Sequence, residues 1–350
     1  MTGSYSDPRP QPSETSSADN SDDARGGRHH SPEASSVIRI PELERPWKAP
    51  PTVGWRKAVY KSSFSTLNLG KSRPERDMDG LIERIQRPIR HRYVIAVMSG
   101  ASAGKTTLTA ALGQTFKLHR TAPVLAIDAA PGFGPLAARI AENPPGDIVA
   151  LLKESDVQGY SDVRQYLGYH KPTGLEVLAG HRGSTSPRTV TAPMFDAVMD
   201  LLTRSGHEIL LVDCGDDPEH PVMPAVLNNA HMLVLVSGLT ADAAVPVERT
   251  VDWLKAAGYH RLVSRLMIIL NDRSGQPNGE ARAVLRERFE KLDAVVEDMP
   301  FDRFLARGGI IDVRNELDKD TRLRLHQIAA LLADLYVHEA DRSRAPRTGR

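Results

Sequence analysis

Residues 93–116 read YVIAVMSGASAGKTTLTAALGQTF: an apolar run, a loop of small residues, a Gly-Lys-Thr triplet and a helical pattern. Val94, Ile95, Ala96, Val97 and Met98 have the unbroken apolar character of a strand buried on both faces. Beyond the loop, Leu108, Ala111, Leu112, Thr115 and Phe116 return at helical spacing among good helix formers. Strand, small-residue loop, GK[ST] and helix is the context of a phosphate site. Backbone N–H groups wrap a polyphosphate only where no bulky side chain blocks the approach. Gly100, Ala101, Ser102, Ala103, Gly104, Lys105, Thr106 and Thr107 form such a cradle, and the helix start adds unpaired N–H donors and a positive dipole end. Lys105 is placed to reach the phosphates, and the Thr106 hydroxyl to ligate Mg²⁺. The plain alternative is a strand-to-helix turn with a solvated lysine. The loop is also a variant, because the first glycine of G-x-x-x-x-G-K-[ST] falls at Ser99.

At 350 residues, 40% of them hydrophobic and 5% aromatic, the chain can bury one large, mainly aliphatic core. A net charge of +1 gives no general attraction to nucleic acid or anionic membrane. The single cysteine, Cys214, excludes an intramolecular disulfide and suits a reducing compartment. The twelve histidines fall in no metal-like spacing. With no signal peptide and no apolar run near the length of a membrane span, the expected location is the cytoplasm.

Four regions are expected. Residues 1–45 read as a disordered polar tail, since 1–36 contain no Leu, Ile, Val, Phe or Trp. An N-terminal arm covers 46–89. Its aromatics Trp47, Trp55, Tyr60 and Phe64 suggest packing on the main domain more than partner binding, and Met78, Leu81, Ile82 and Ile85 fit a helix that ends before Pro88. The main domain is 90–340, and 341–350 is a short basic tail.

Within 90–340, candidate strands at 124–128, 175–179, 208–213, 231–237, 265–271 and 294–299 alternate with candidate helices at 194–203, 243–257, 280–292 and 323–339. This is an α/β pattern: a doubly wound, mostly parallel sheet with helices on both faces, and ligands at the carboxyl ends of the strands. Asp128 and Asp213 each close an apolar run, where a carboxylate can hold Mg²⁺ or cap the next turn. Asn271 ends another run and either reads a base or opens an Asx-turn. In the last helix Leu325, Ile328, Ala329, Leu332, Leu335 and Tyr336 form a stripe that suits the core better than a lipid surface.

The succession GKTT, IDAAPG, LLVDCG, LVLVSG, IILND and MPFD resembles the MinD/ParA-like ATPases. These are dimerising P-loop proteins of the SIMIBI class with a deviant Walker A motif, K-G-G-x-G-K-[ST]. The arm GWRKAVYKSSFSTLNLGKSRPERDMDGLIERIQRPIRHRYVIAVMSG (54–100) is similar to that of an actinobacterial branch tied to type VII (ESX) secretion. The resemblance implies ATP and Mg²⁺ as cofactors, a homodimer, and a secretion-system or other protein partner. It implies catalytic roles for Lys105 and Asp128, metal contacts from Thr106, Asp128 and Asp213, and Asn271 and the stretch Pro300, Phe301 and Asp302 beside the adenine. Four family residues are missing: the signature lysine falls at Gly100, its two glycines at Ala101 and Ser102, and the second switch I aspartate at Ala130. The functions left open are an ATP-dependent switch with weak or partner-dependent hydrolysis, a pseudo-ATPase scaffold, and a small-molecule P-loop enzyme using HRGSTSPR (181–188).

Overall fold

The computed structural model describes residues 48–342 apart from Leu67, Ala101, 131–133, Ser155, 181–188 and Pro277. Ala101 of the loop, the HRGSTSPR stretch and nearly all of both tails therefore lie outside the described residues. Among those described are eight strands: β1 (Tyr93–Ser99), β2 (Val124–Asp128), β3 (Gly168–Tyr169), β4 (Glu176–Leu178), β5 (Ile209–Asp213), β6 (Met232–Ser237), β7 (Leu266–Asn271) and β8 (Val295–Met299). The longer helices are α1 (Gly54–Ser62), α2 (Arg73–Gln86), α3 (Lys105–His119), α7 (Ala192–Leu202), α9 (Ala241–Ala256), α11 (Gly279–Glu290) and α13 (Lys319–Arg342). Between them lie the short turns of helix α4 (Leu136–Ile140), α5 (Ile148–Leu152), α6 (Tyr160–Arg164), α8 (Met223–Asn229), α10 (His260–Val263) and α12 (Arg303–Arg307).

The sheet order is β3-β4-β2-β5-β1-β6-β7-β8, parallel except for the two-residue edge strand β3. Every residue of β1, β2, β5 and β6 is buried, which is why these strands read as continuous apolar runs without alternation. The chain builds outward from β1, first toward β2 and then toward β6, so the loop after β1 opens at the topological switch point. Asp128 and Asp213 are register partners, and Val97 of β1 is the partner of Asp213 on its other side. Strand register thus brings the ends of three strands together under the loop.

One face of the sheet is covered by α3, α4 and α13, where Leu325, Ile328, Ala329, Leu332 and Tyr336 are buried as the final helix's stripe suggests. No helix among the described residues is long and apolar enough to cross a membrane. The arm divides in two. Glu75 closes the capping box of α2 by accepting from Ser72 N at 2.7 Å, and its other oxygen accepts from Thr52 N and Val53 N. Arg84 of α2 and Arg87, its C-cap, pair with Asp334 of α13 at 2.6 and 2.8 Å. The aromatic half departs from the packing that the sequence suggests: α1 buries none of its residues, and Trp55 is 66% and Phe64 93% exposed. Arg56, Lys57 and Lys61 leave α1 too little apolar surface to seat on the sheet, and Arg56 stacks on Trp55 instead.

Two contacts tie α3 to the C-terminal segment. Gln114, fully buried, donates to Ile311 O at 2.6 Å and accepts from Val313 N at 3.1 Å. One helical turn on, His119 and His326 share a hydrogen bond between their Nε2 atoms at 2.8 Å. Burial first, and then its partner ring, pushes His119 down to about 4 from 6.5. A depressed histidine takes its proton more readily in the unfolded chain, so its contribution is whole above about pH 6.5 and is lost as pH falls toward 4. Thermal unfolding followed between pH 7 and 4 is therefore expected to show a decline of at most ~1.4 kcal/mol per pH unit, reduced by solvent at this half-buried site. His119→Gln should flatten that decline; an unchanged slope would assign it to other groups.

Candidate functional site

The loop after β1 is shaped by backbone conformations that its small residues permit. Ser102 and Gly104 both have positive φ, 60° and 98°. A Cβ on Gly104 would lie 2.5 Å from Asn271 Nδ2, so the glycine is required for approach as well as for conformation. Asn271 Nδ2 donates to Ala103 O at 2.8 Å, and Arg273 Nη1 donates to Ser102 O. Asn271 therefore holds the loop, while Asp272 makes the Asx-turn by accepting from Ser274 N and Gly275 N. Helix α3 starts at Lys105 with no side-chain cap, leaving its first-turn N–H groups for a ligand.

Lys105, Thr106 and Thr107 open into a cleft of about 420 Å³ with Ser102 and Gly104. Asn271, Asp272, Arg273, Met299, Pro300 and Phe301 form its far wall, so the expected base-side residues Asn271 and Pro300 do share a cleft with Lys105. Asp302 also lines the cleft, with its carboxylate engaged: it caps α12 by accepting from Phe304 N and Leu305 N, and holds Asp318 N. Arg139 of α4 also lines the cleft.

Asp128 and Asp213 lie beneath the cleft, both fully buried. Asp128 is engaged by its own loop, accepting from Ala130 N at 3.2 Å and Leu136 N at 3.3 Å. Gly134 presses on it so closely that a Cβ there would stand 2.0 Å from both carboxylate oxygens. Asp213 is different. Neither oxygen has a hydrogen-bond partner of ordinary geometry, although the Thr106 hydroxyl and Lys105 are near enough to favour its ionised form. Burial raises both carboxyls well above the ordinary aspartate range, and the charge of Asp128 adds to the effect at Asp213. A buried carboxylate with open oxygens beside a threonine hydroxyl is a hard-oxygen donor set that fits Mg²⁺, with Thr106 and Asp213 the residues to hold it.

The departures from the family motif also have structural reasons. A Cβ on Gly100 would meet the Pro246 ring of α9 at 3.0–3.1 Å, a contact close enough that the proline would have to give way by a few tenths of an ångström. Ala130 offers only its backbone N–H. Two cleft residues, Arg139 and Arg273, carry no signal in the sequence; both are brought to the loop by chain folding. Elsewhere Ser205, His207 and Glu176 form a hydrogen-bonded series, at 2.7 and 2.8 Å, that resembles a hydrolytic triad. Ser205 is only 1% exposed and donates to Leu202 O, so the series serves packing. No group of three or more potential metal-ligating His, Cys, Asp or Glu side chains occurs among the described residues.

No family model matches the chain. It is 32% identical over 284 residues to the ESX-1 secretion-associated protein EspI of Mycobacterium tuberculosis, a match covering 80% of this chain and 42% of that protein. The chain thus spans less than half the length of this curated relative. Among solved structures it resembles a ParA family ATPase from Chlorobium tepidum, with a TM-score of 0.54, 16% identity, and 68% of this chain and 98% of that one covered. It also resembles the septum site-determining protein MinD of Pyrococcus horikoshii complexed with Mg-ADP, with a TM-score of 0.51, 19% identity, and 68% and 94% covered. The fold is that of the MinD/ParA P-loop proteins.

Asp213→Asn removes an uncompensated buried charge. In ligand-free protein at pH 8 the melting temperature is expected to rise by ~2–4 °C for each kcal/mol relieved. The same variant should lose the extra stabilisation that Mg²⁺ adds to ATP. A fall in the ligand-free melting temperature would show that Asp213 is compensated by its surroundings.

Proposed function

We propose that the protein is a nucleotide-dependent switch that binds Mg-ATP in the cleft over Lys105 and acts on a protein partner, in a process associated with type VII secretion. The observation that carries this reading is Asp213, a fully buried carboxylate with no hydrogen-bond partner of ordinary geometry among the described residues, next to an uncapped helix start and the Thr106 hydroxyl. Such an arrangement is costly empty and favourable once a cation and a phosphate are present. In the proposed complex Lys105 and the first-turn amides of α3 bind phosphate. Thr106 and Asp213 hold Mg²⁺, whose bound charge would neutralise the phosphate oxygens. Asp128 positions the loop after β2. Asn271, Pro300 and Phe301 flank the base. The secretion association rests on the similarity to EspI.

A scaffold that binds ATP without turning it over is the second reading. It is favoured by Gly100, which stands at the position of the family lysine with the Pro246 ring close against it, and by Ala130, which has no carboxylate to orient a water.

Two measurements test these readings. Calorimetric titration with Mg-ATP should show binding, and Lys105→Ala should weaken it by ~1.5–3 kcal/mol, the worth of a charged hydrogen bond. Equal affinity in wild type and variant would overturn the phosphate role of Lys105. In a phosphate-release assay the isolated protein should turn ATP over far more slowly than a family member with the full motif, because a cation supplied across an interface is worth ~10³–10⁵ in rate. Comparable turnover would remove the second reading.

A further inference from the structure

Among the described residues of the cleft wall, Arg139 is a cation with a fully buried N–H group that no acceptor answers. It lies on α4, one turn beyond Leu136, whose N–H is held by Asp128. Its own carbonyl accepts from Ile311 N at 3.0 Å, and Ile311 is in turn anchored to α3 by Gln114. The backbone carrying Arg139 is thus fixed from both sides. Its guanidinium lies against Gly308, where a Cβ would approach Nη1 to 3.5 Å. Nη1 is fully buried and makes no hydrogen bond with any described residue. The undescribed internal stretches 131–133 and 181–188 contain no acidic residue to pair with it. Burial alone pushes its guanidinium down, with no carboxylate acting in the other direction.

A fork of N–H donors on a fixed backbone at a cleft, partly desolvated and with no anion among the described residues, suits one that arrives from outside. Phosphate suits it best, because its oxygens match the guanidinium geometry in bidentate fashion. The loop itself supplies no Lys or Arg from Ser99 to Gly104, so a polyphosphate seated on Lys105 needs a second cation from elsewhere.

We infer that Arg139 binds a phosphate group of the nucleotide, supplying from within the same chain a positive charge that the loop lacks. The inference rests on the nucleotide reading of the cleft and names a residue outside every motif of that reading. It makes Arg139 a phosphate-binding residue that discriminates charged nucleotide from nucleoside. Arg273 does not compete for the role, since its guanidinium is committed to the Ser102 carbonyl on the exposed rim.

The test compares wild type, Arg139→Met, Arg139→Lys and Lys105→Ala, each titrated with ATP, ADP and adenosine, with melting temperatures measured with and without ATP. Arg139→Met is expected to weaken ATP by roughly 10- to 100-fold, the range of a charged hydrogen bond, and to leave adenosine unchanged. Arg139→Lys should recover part of the loss. The ligand-free melting temperature of Arg139→Met should stay level or rise, because an unpaired, partly buried charge has been removed. A purely structural arginine would lower it. Equal weakening of ATP and adenosine, or a lower melting temperature with unchanged ATP affinity, would overturn the inference. If Lys105→Ala loses ATP while Arg139→Met does not, the cleft reading stands and this inference falls. If folded wild type binds no ATP, both fall.

Discussion

Asp128 and Asp213 end neighbouring parallel strands in register, both fully buried, so two carboxylates are held about one strand spacing apart in a medium that disfavours charge. Asp128 is answered by two backbone N–H groups; Asp213 is answered by nothing of ordinary hydrogen-bond geometry. This imbalance organises the site. The cost of keeping Asp213 is borne by the eight-stranded sheet, whose central strands are buried along their whole length. In the proposed complex it would be recovered when cations reach the pair, with Lys105, Thr106 and Arg139 placed around the cleft to meet a polyphosphate and its metal.

The cleft depends on contacts far from its chemistry. Gln114 binds the segment at 311–313 to α3, and that segment holds the backbone of Arg139. Asn271 ties the end of β7 to the loop after β1, bringing the two walls of the cleft together. Gly134 lets the loop after β2 close on Asp128. Each is a buried or close polar contact in a crowded place, where a lost partner or an added methyl is felt directly.

Much of this was legible in the chain itself. The apolar runs ending at Asp128, Asp213 and Asn271 mark strands β2, β5 and β7, because a strand covered on both faces must be continuously apolar. The small residues before Lys105 mark the loop, because only they let the backbone close on a phosphate. The aromatics of 46–64 were less informative. Hydrophobic character alone does not say whether a short helix finds a surface, and α1 finds none among the described residues.

The sequence by itself determined the α/β class, the loop, its lysine and threonine, and the two strand-end aspartates, since each is a local pattern set by backbone and side-chain chemistry within a few residues. Only the tertiary structure decided that Asp128 is used up by its own loop while Asp213 is left open. The same holds for Pro246, whose ring packs close against Gly100, and for Arg139, which lines the cleft without a hydrogen-bond partner for its buried Nη1 among the described residues. These outcomes depend on strand register and on side chains arriving from distant elements. No spacing along the chain encodes which charges will lack a partner once the core has closed around them.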